Sequence, residues 1–286
     1  MIDIITYVIS NKCNNNCIFC TRAFFRENSL EKSTKEAKST LKKKRESSQN
    51  IILTEGEPTL RNDFFDILSY CKKLKFKRIS IQTNGIIFAD KGFTQKVVDI
   101  VGSNLDVCLS LHAHNSDLYK KLAQYDGFEE VLQGIKNLAK NDIKLRSNTV
   151  VMQYNYVHLS SIIDVLSDSG IIENELMLVH PRGSAWHNKK DVIPDINNIS
   201  HYLKTAIKDG KKRGQKISLE SFPFCTVGED YCNYCIEKKF SKELVKRHRR
   251  LKTISERCYG CKYIKQCPGV WSAYLELQDF NFTPLK

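Results

Sequence analysis

Residues 13–20 read Cys13-Asn14-Asn15-Asn16-Cys17-Ile18-Phe19-Cys20, a C-x3-C-x2-C spacing that directly follows a short apolar run from Ile4 to Ile9. Three thiolates this close together can bind one iron–sulfur cube but cannot fill its four irons, because a four-iron cluster held by cysteine takes four such ligands. The fourth iron is left open, and an open metal position is where a metal site does chemistry rather than only hold structure. A zinc site or unrelated buried cysteines are the alternatives, although zinc cysteines usually come as two C-x2-C halves.

Outward from the cysteines, strand and helix patterns alternate. Residues 4–9 read as a strand, 30–45 as a polar helix, 50–54 as a buried strand and 64–73 as an amphipathic helix with Phe64, Leu68 and Cys71 at helical spacing. A strand is expected at 78–83, a helix at 94–101 and a strand at 105–111. Residues 116–140 read as helical with a break at Gly127, followed by a strand at 145–152, a helix at 156–167 and a strand at 175–180. Six β–α units predict parallel strands with right-handed crossovers, too few for an eight-stranded barrel. One more helix is expected at 195–212, and from Ile217 onward the chain is rich in Cys, Lys and aromatic residues with little clear periodicity. The expected division is 1–213 for the β–α part and 214–286 for a cysteine-rich extension.

The cysteine spacing, with Phe19 just before the third cysteine, resembles the radical S-adenosylmethionine superfamily. Its companions follow in order: Thr54-Glu55-Gly56-Glu57-Pro58-Thr59, Gln82-Thr83-Asn84-Gly85 and Leu109-Ser110-Leu111-His112. Each falls at the C-terminal end of an expected strand, the end where α/β barrels bind ligands. The resemblance implies an α/β fold, a partial (β/α)6 TIM-like barrel with a small C-terminal cysteine-rich extension. It also implies a cluster, held by Cys13, Cys17 and Cys20, whose open iron takes the amino and carboxylate groups of S-adenosylmethionine. One electron then yields a 5′-deoxyadenosyl radical that abstracts a substrate hydrogen.

Carried over position by position, the resemblance places Phe19 beside the cluster and adenine. Glu55, Gly56 and Glu57 then meet the cofactor's amino group, Glu55 replacing the commoner first glycine. Thr83 and Asn84 lie by the ribose or carboxylate, Ser110 and Arg146 near the carboxylate, and the segment starting at His180 against adenine. Turn chemistry alone would also account for Gly56-Glu57-Pro58 and Thr83-Asn84-Gly85. Asn148 and Asn155 are weaker candidates of the same kind, and His112 and His114 are either acid–base groups or structural histidines.

Six further cysteines lie near the C-terminus. Cys258, Cys261 and Cys267 have C-x2-C-x5-C spacing, and Cys225 stands upstream in F-P-F-C. This resembles the auxiliary-cluster extension of radical peptide and protein maturases, and those four thiolates would close a second cube completely; zinc also suits four cysteines. Cys232 and Cys235 form a further pair whose role the sequence leaves open. Cys71 and Cys108 sit in apolar patterns and read as core.

The chain has 286 residues, eleven cysteines and a formal charge of +13. Clusters need reduced thiols, so a cytoplasmic setting is expected, and no apolar stretch reaches the ~18 residues of a membrane span. The positive charge fits a lysine-rich solvated surface or an acidic partner: a peptide, an electron donor of flavodoxin or ferredoxin type, or a nucleic acid. Lys246, Arg247, His248, Arg249, Arg250 and Lys252 form the densest basic stretch. The expected activity is radical modification of a ribosomally made peptide or protein, in a layout loosely like maturases of the His-Xaa-Ser type. A small-molecule substrate in cofactor or natural-product biosynthesis is the first alternative and transfer RNA the second, the latter without a recognisable RNA-binding module.

Overall fold

Seven parallel strands form one sheet in chain order: β1 (Ile4–Val8), β2 (Asn50–Thr54), β3 (Arg78–Thr83), β4 (Leu105–Ser110), β5 (Lys144–Val151), β6 (Glu173–Leu178) and β7 (Lys216–Glu220). The computed structural model describes residues 4–28 and 31–286; Leu30, the expected start of the polar helix, lies outside the described residues. Helices α1 (Ala23–Asn28), α2 (Thr34–Ser47), α3 (Phe64–Lys73), α4 (Lys91–Val101), α5 (Ser116–Ala123), α6 (Phe128–Leu138) and α7 (Leu159–Asp168) run between the strands. Short α8 (Ser184–His187) and α9 (Lys189–Val192) precede α10 (Ser200–Lys212). The fold is α/β, a parallel partial barrel of TIM type with a cysteine-rich C-terminal part.

Local chemistry sets the element ends. Ser33 and Glu36 form a capping box on α2, the Ser33 hydroxyl accepting from Glu36 N and the Glu36 carboxylate accepting from Ser33 N. Phe64, Ile67, Leu68 and Cys71 are buried at helical spacing on α3. The expected long helix at 116–140 is two helices. Asn115 caps α5, Gln124 ends it in the left-handed region, and α6 starts after Gly127. The helix expected from Asp195 begins at Ser200, because the Asp195 carboxylate instead accepts from Asn197 N and the Asn198 amide in a turn.

The seventh strand lies beyond residue 213, so the sheet runs past the expected division. Lys216–Glu220 pairs with β6, Leu176 opposite Leu219, and buries Ile217 and Leu219 in alternation. At the other end of the sheet Val8 pairs with Thr54, Thr83 with Leu109, and Ser110 with Asn148. The strand C-terminal ends are therefore level, and the four motifs emerge side by side.

One buried core joins β1–β4 with α2–α6. A second joins β6, β7, α7 and α10 to the C-terminal part. That part adds α11 (Phe224–Val227), α12 (Lys242–His248) and an antiparallel pair, β8 (Lys252–Thr253) with β9 (Val270–Trp271). Tyr274, wholly buried, pins it to the barrel by donating to Val179 O at 2.7 Å, just past the end of β6. Among the described residues no helix is long and apolar enough to cross a membrane.

Candidate active site

The loop after β1 is held from several sides. Glu57 N donates to Lys12 O at 2.7 Å, and the Asn84 side-chain amide donates to Asn14 Oδ1 at 2.6 Å. Asn16 N and Ile18 N donate to Ala123 O and Leu122 O at the end of α5. Ser184 N donates to Cys20 O at 2.8 Å, and the Asn188 amide to Ile18 O at 2.9 Å. Two glycines allow this closeness. A Cβ on Gly56 would stand 2.4 Å from Lys12 O, and one on Gly183 would stand 2.5 Å from Cys20 O; both have positive φ. The thiols of Cys13, Cys17 and Cys20 are thereby presented, half-buried, to one cavity of about 410 Å³.

Phe19, Glu55, Gly56, Thr83, Asn84, Ser110 and His180 line the same cavity. Glu57 does not. Its carboxylate is 1% exposed and is used internally: Oε1 accepts from Thr59 N, Thr59 Oγ1 and Thr83 Oγ1, and Oε2 accepts from Asn84 N at 2.7 Å. Burial pushes its pKa up and these hydrogen bonds oppose the push. Glu57 thus ties the turn after β2 to the end of β3. Arg61, which sequence reasoning passed over, extends the tie to β1: it donates to Ile9 O at 2.7 Å and pairs with Asp63 at 2.7 Å while 5% exposed. An arginine just after the Glu57-Pro58-Thr59-Leu60 run was the available signal.

Glu55 is a strained residue. Its φ is 73° where glycine would be at ease. A side chain there costs about 1–2 kcal/mol. Its carboxylate lies 3.0 Å from Arg22 Nε, with the two side chains 31% and 32% exposed, and a pair so exposed contributes ~1 kcal/mol at most. Arg22 also stacks 4.0 Å over the Phe25 ring and donates to Asn11 Oδ1 at 3.2 Å. Burial raises the Glu55 pKa and Arg22 opposes the rise.

The cavity histidines are neutral. Burial lowers His112 from an ordinary 6.5 to about 4; its Nδ1 accepts from Val150 N at 3.0 Å, which leaves the proton on Nε2. Burial, followed by Lys252, Arg182 and His248, lowers His180 to about 4. Its ring lies 4.6 Å from that of Trp271, and among the described residues its Nε2 has no partner.

Arg146 does not line this cavity. It is the third residue of β5, near the opposite end of the strands, and pairs with Asp106 at 3.0 Å. A strand rises about 3.3 Å per residue, so a place early on β5 keeps its side chain below the site. Asn155 is likewise structural: wholly buried, it accepts from Met152 N and donates to His112 O and Val150 O. Asn148 does line the cavity and donates to Glu175 Oε1 at 3.0 Å. Glu220 lies beside Glu175 and Glu237, and burial with these neighbours holds its carboxyl protonated well above the usual range.

The four thiols of the C-terminal set, Cys225, Cys258, Cys261 and Cys267, are half-buried like those of the cavity. Burial pushes Cys267 up to about 12 although its Sγ accepts from Phe224 N at 3.4 Å and Gly269 N at 3.5 Å. Burial raises Cys225 and Cys258 as well, with Cys258 adding to the effect on Cys225 and Cys261 to that on Cys258. Cys232, wholly buried and pushed up to about 11 mainly by burial, donates to Gly228 O at 3.3 Å. Arg249 and Lys252, counted above in the basic stretch, turn inward. The Arg249 guanidinium donates to Ile264 O and Cys267 O, and Lys252, lowered to about 8 by burial, reaches Ser221 Oγ and the Trp271 face.

A family model described as the Radical SAM superfamily matches residues 7–166. The chain belongs to the radical SAM superfamily. Among curated relatives, a "Probable GTP 3′,8-cyclase" of Sulfurisphaera tokodaii is 29% identical over 196 residues, 66% of this chain and 61% of that protein. The chain spans about six tenths of that relative's length. Among solved structures, Streptococcus suis SuiB bound to precursor peptide SuiA superposes with a TM-score of 0.57 at 16% identity, over 96% of this chain and 73% of that one. Native anSMEcpe with bound AdoMet and Cp18Cys peptide gives 0.59 at 17%, over 76% and 62%. At these identities the likeness is one of fold.

A radical SAM enzyme carries a four-iron cluster and S-adenosylmethionine, and their reductive reaction supplies a 5′-deoxyadenosyl radical. The cavity fits them. Three thiols open on it together, two glycines keep the cysteine loop close, and the walls combine amide and hydroxyl groups with Phe19 and Val179. Among the described residues no three His, Cys, Asp or Glu side chains meet closely enough for a lone metal ion. The core of an iron–sulfur cube, by contrast, spreads its irons over several thiolates.

Proposed function

We propose that this radical SAM enzyme modifies a side chain or α-carbon of a ribosomally made peptide or protein. In this reading Cys13, Cys17 and Cys20 hold the catalytic cluster. Phe19, Glu55, Gly56, Thr83, Asn84, Ser110 and the segment at His180 surround the cofactor. Cys225, Cys258, Cys261 and Cys267 hold an auxiliary cluster. The observation that carries the peptide reading is this second thiol set, carried by a C-terminal part that packs on the barrel through Tyr274 and reaches the cavity residue His180 through Trp271. The likeness to SuiB over 96% of this chain supports it, since that structure is bound to its precursor peptide. The chain's own residues orient the radical and keep water out. Phe19 and Leu122 are buried in the cavity wall, and His112 and His180 stay neutral. An acidic electron donor of flavodoxin or ferredoxin type is the proposed reductant partner, drawn by the net charge of +13.

A second reading is a small-molecule substrate. The higher sequence identity to proteins named as GTP 3′,8-cyclases favours it. One assay separates the two. The reduced enzyme is incubated with S-adenosylmethionine and either the peptide from a small reading frame beside its gene or GTP. The peptide reading predicts a mass change on the peptide and 5′-deoxyadenosine formation stimulated by it; stimulation by GTP alone overturns the peptide reading in favour of the second.

A further inference from the structure

Helix α5 lies directly against the cysteine loop, since Asn16 N and Ile18 N donate to Ala123 O and Leu122 O at its end. Tyr119 stands one turn earlier on the same helix face and lines the cavity together with the three thiols. Its oxygen accepts from Asn15 Nδ2 at 3.3 Å, and Asn15 sits midway between Cys13 and Cys17. The residue is 3% exposed, and its ring centroid lies 6.0 Å from that of Phe128 on α6. Ring and oxygen are both held in place.

The bond from Asn15 uses the phenol as an acceptor. A phenol also has one O–H to give, and among the described residues no acceptor takes it. A buried donor without an acceptor is costly, so this one calls for an acceptor that arrives when the site is loaded. Loading a cluster deprotonates its cysteine ligands, so thiolate and sulfide acceptors appear where thiols stood. Burial raises the pKa of the Tyr119 hydroxyl most, and the nearby Cys17 and Cys13 add to the rise.

We propose that Tyr119, aimed by Asn15, donates its O–H to a sulfur on the Cys13–Cys17 side of the catalytic cluster and so raises the reduction potential of that cluster. A donor at sulfur favours the reduced state, which carries one more negative charge, over the oxidised one. Hydrogen bonds to sulfur are among the factors that set such potentials. Tyr119 thus makes the first electron easier to accept. The inference rests on the reading of Cys13, Cys17 and Cys20 as the ligands of the catalytic cluster and deepens it.

The test is a potentiometric titration of the anaerobically reconstituted protein, followed by electron paramagnetic resonance, in wild type and Tyr119→Phe. The catalytic cluster is the one whose reduced signal changes on adding S-adenosylmethionine, because an open iron takes a ligand and a closed cube does not. The proposed auxiliary cluster is followed in the same sample. Tyr119→Phe keeps the ring against Phe128 and removes one O–H. Its catalytic midpoint falls, and the ratio of reduced to oxidised cluster at a fixed potential drops about tenfold, which is about 59 mV for one electron. Iron per chain and the auxiliary midpoint stay unchanged. Asn15→Leu leaves the phenol but removes what aims it, and shifts the same midpoint in the same direction by less. A catalytic midpoint unmoved in both variants, or equal shifts at the two clusters, would overturn the proposal and make the pair structural. If wild type gives no signal that responds to S-adenosylmethionine, the reading of the three cysteines itself falls, and the proposal with it.

Discussion

The two cysteine groups of this chain are equally half-buried but differently surrounded. Cys13, Cys17 and Cys20 sit on a loop whose backbone is tied down on several sides while its thiols face open volume. Cys225 and Cys267 sit against packed side chains, their thiols raised by burial, and Cys267 accepts two backbone N–H groups, while Cys258 and Cys261 lie half-exposed beside them. A centre that must exchange a ligand needs the first arrangement; one that passes electrons or braces a fold is served by the second.

The sharpest separation comes from the C-terminal thiols. The double substitution Cys225→Ala with Cys258→Ala should remove about half of the roughly eight irons expected for two cubes. Cofactor cleavage should persist while peptide product disappears, as read by iron analysis and mass spectrometry. Loss of cleavage together with product would erase the distinction.

Acid should act on the cavity side. His112 is held at about 4 in the folded state against an ordinary 6.5. Below 6.5 the unfolded chain binds the proton first, so stability rises with pH across this window and is lost as pH falls from about 6.5 through about 4. His112 alone accounts for ~3 kcal/mol of that loss as an upper bound. Denaturant melts at pH 7 and pH 4.5 check it, with His112→Asn expected to flatten the slope.

Glu57→Gln places an amide N–H2 against the donors that its carboxylate now accepts. About 2 kcal/mol of stability should go, with a lower melting temperature and loosened protection of the Asn84 amide in hydrogen exchange. On the other side of the comparison, Arg249→Lys should cost ~1 kcal/mol, because an ammonium replaces the fork that holds the Ile264 and Cys267 carbonyls. Its visible effect should be faster loss of iron from the C-terminal set during dialysis, with the N-terminal set unmoved.

Much of the barrel was legible because its signals are local. The boundaries of β2, β3 and α3 follow from runs of apolar residues at fixed spacing. The strand β7 escaped notice because Lys216–Glu220 is short and its two apolar residues alternate with polar ones, which looks like a loop until β6 is beside it. Arg146 was misplaced for a related reason. Its strand was readable, but its height on the strand depends on register with β4, where Asp106 waits. The cavity residues came together because each motif ends a strand and the strand ends are level. The Arg22–Glu55 contact joins residues 33 positions apart in the sequence, and no local pattern announces it. The inward turn of Arg249 and Lys252 was likewise hidden inside what reads as a basic surface run.

The central claim is that the thiols facing the cavity carry the reactive cluster. It is tested most directly by measuring 5′-deoxyadenosine from S-adenosylmethionine and dithionite in anaerobically reconstituted wild type and Cys17→Ala. The account predicts deoxyadenosine from wild type, a fall of more than about a hundredfold in the variant, and retention of the iron belonging to the C-terminal set. Deoxyadenosine at the wild-type level in Cys17→Ala, or none from wild type together with bound zinc in place of iron, would contradict it.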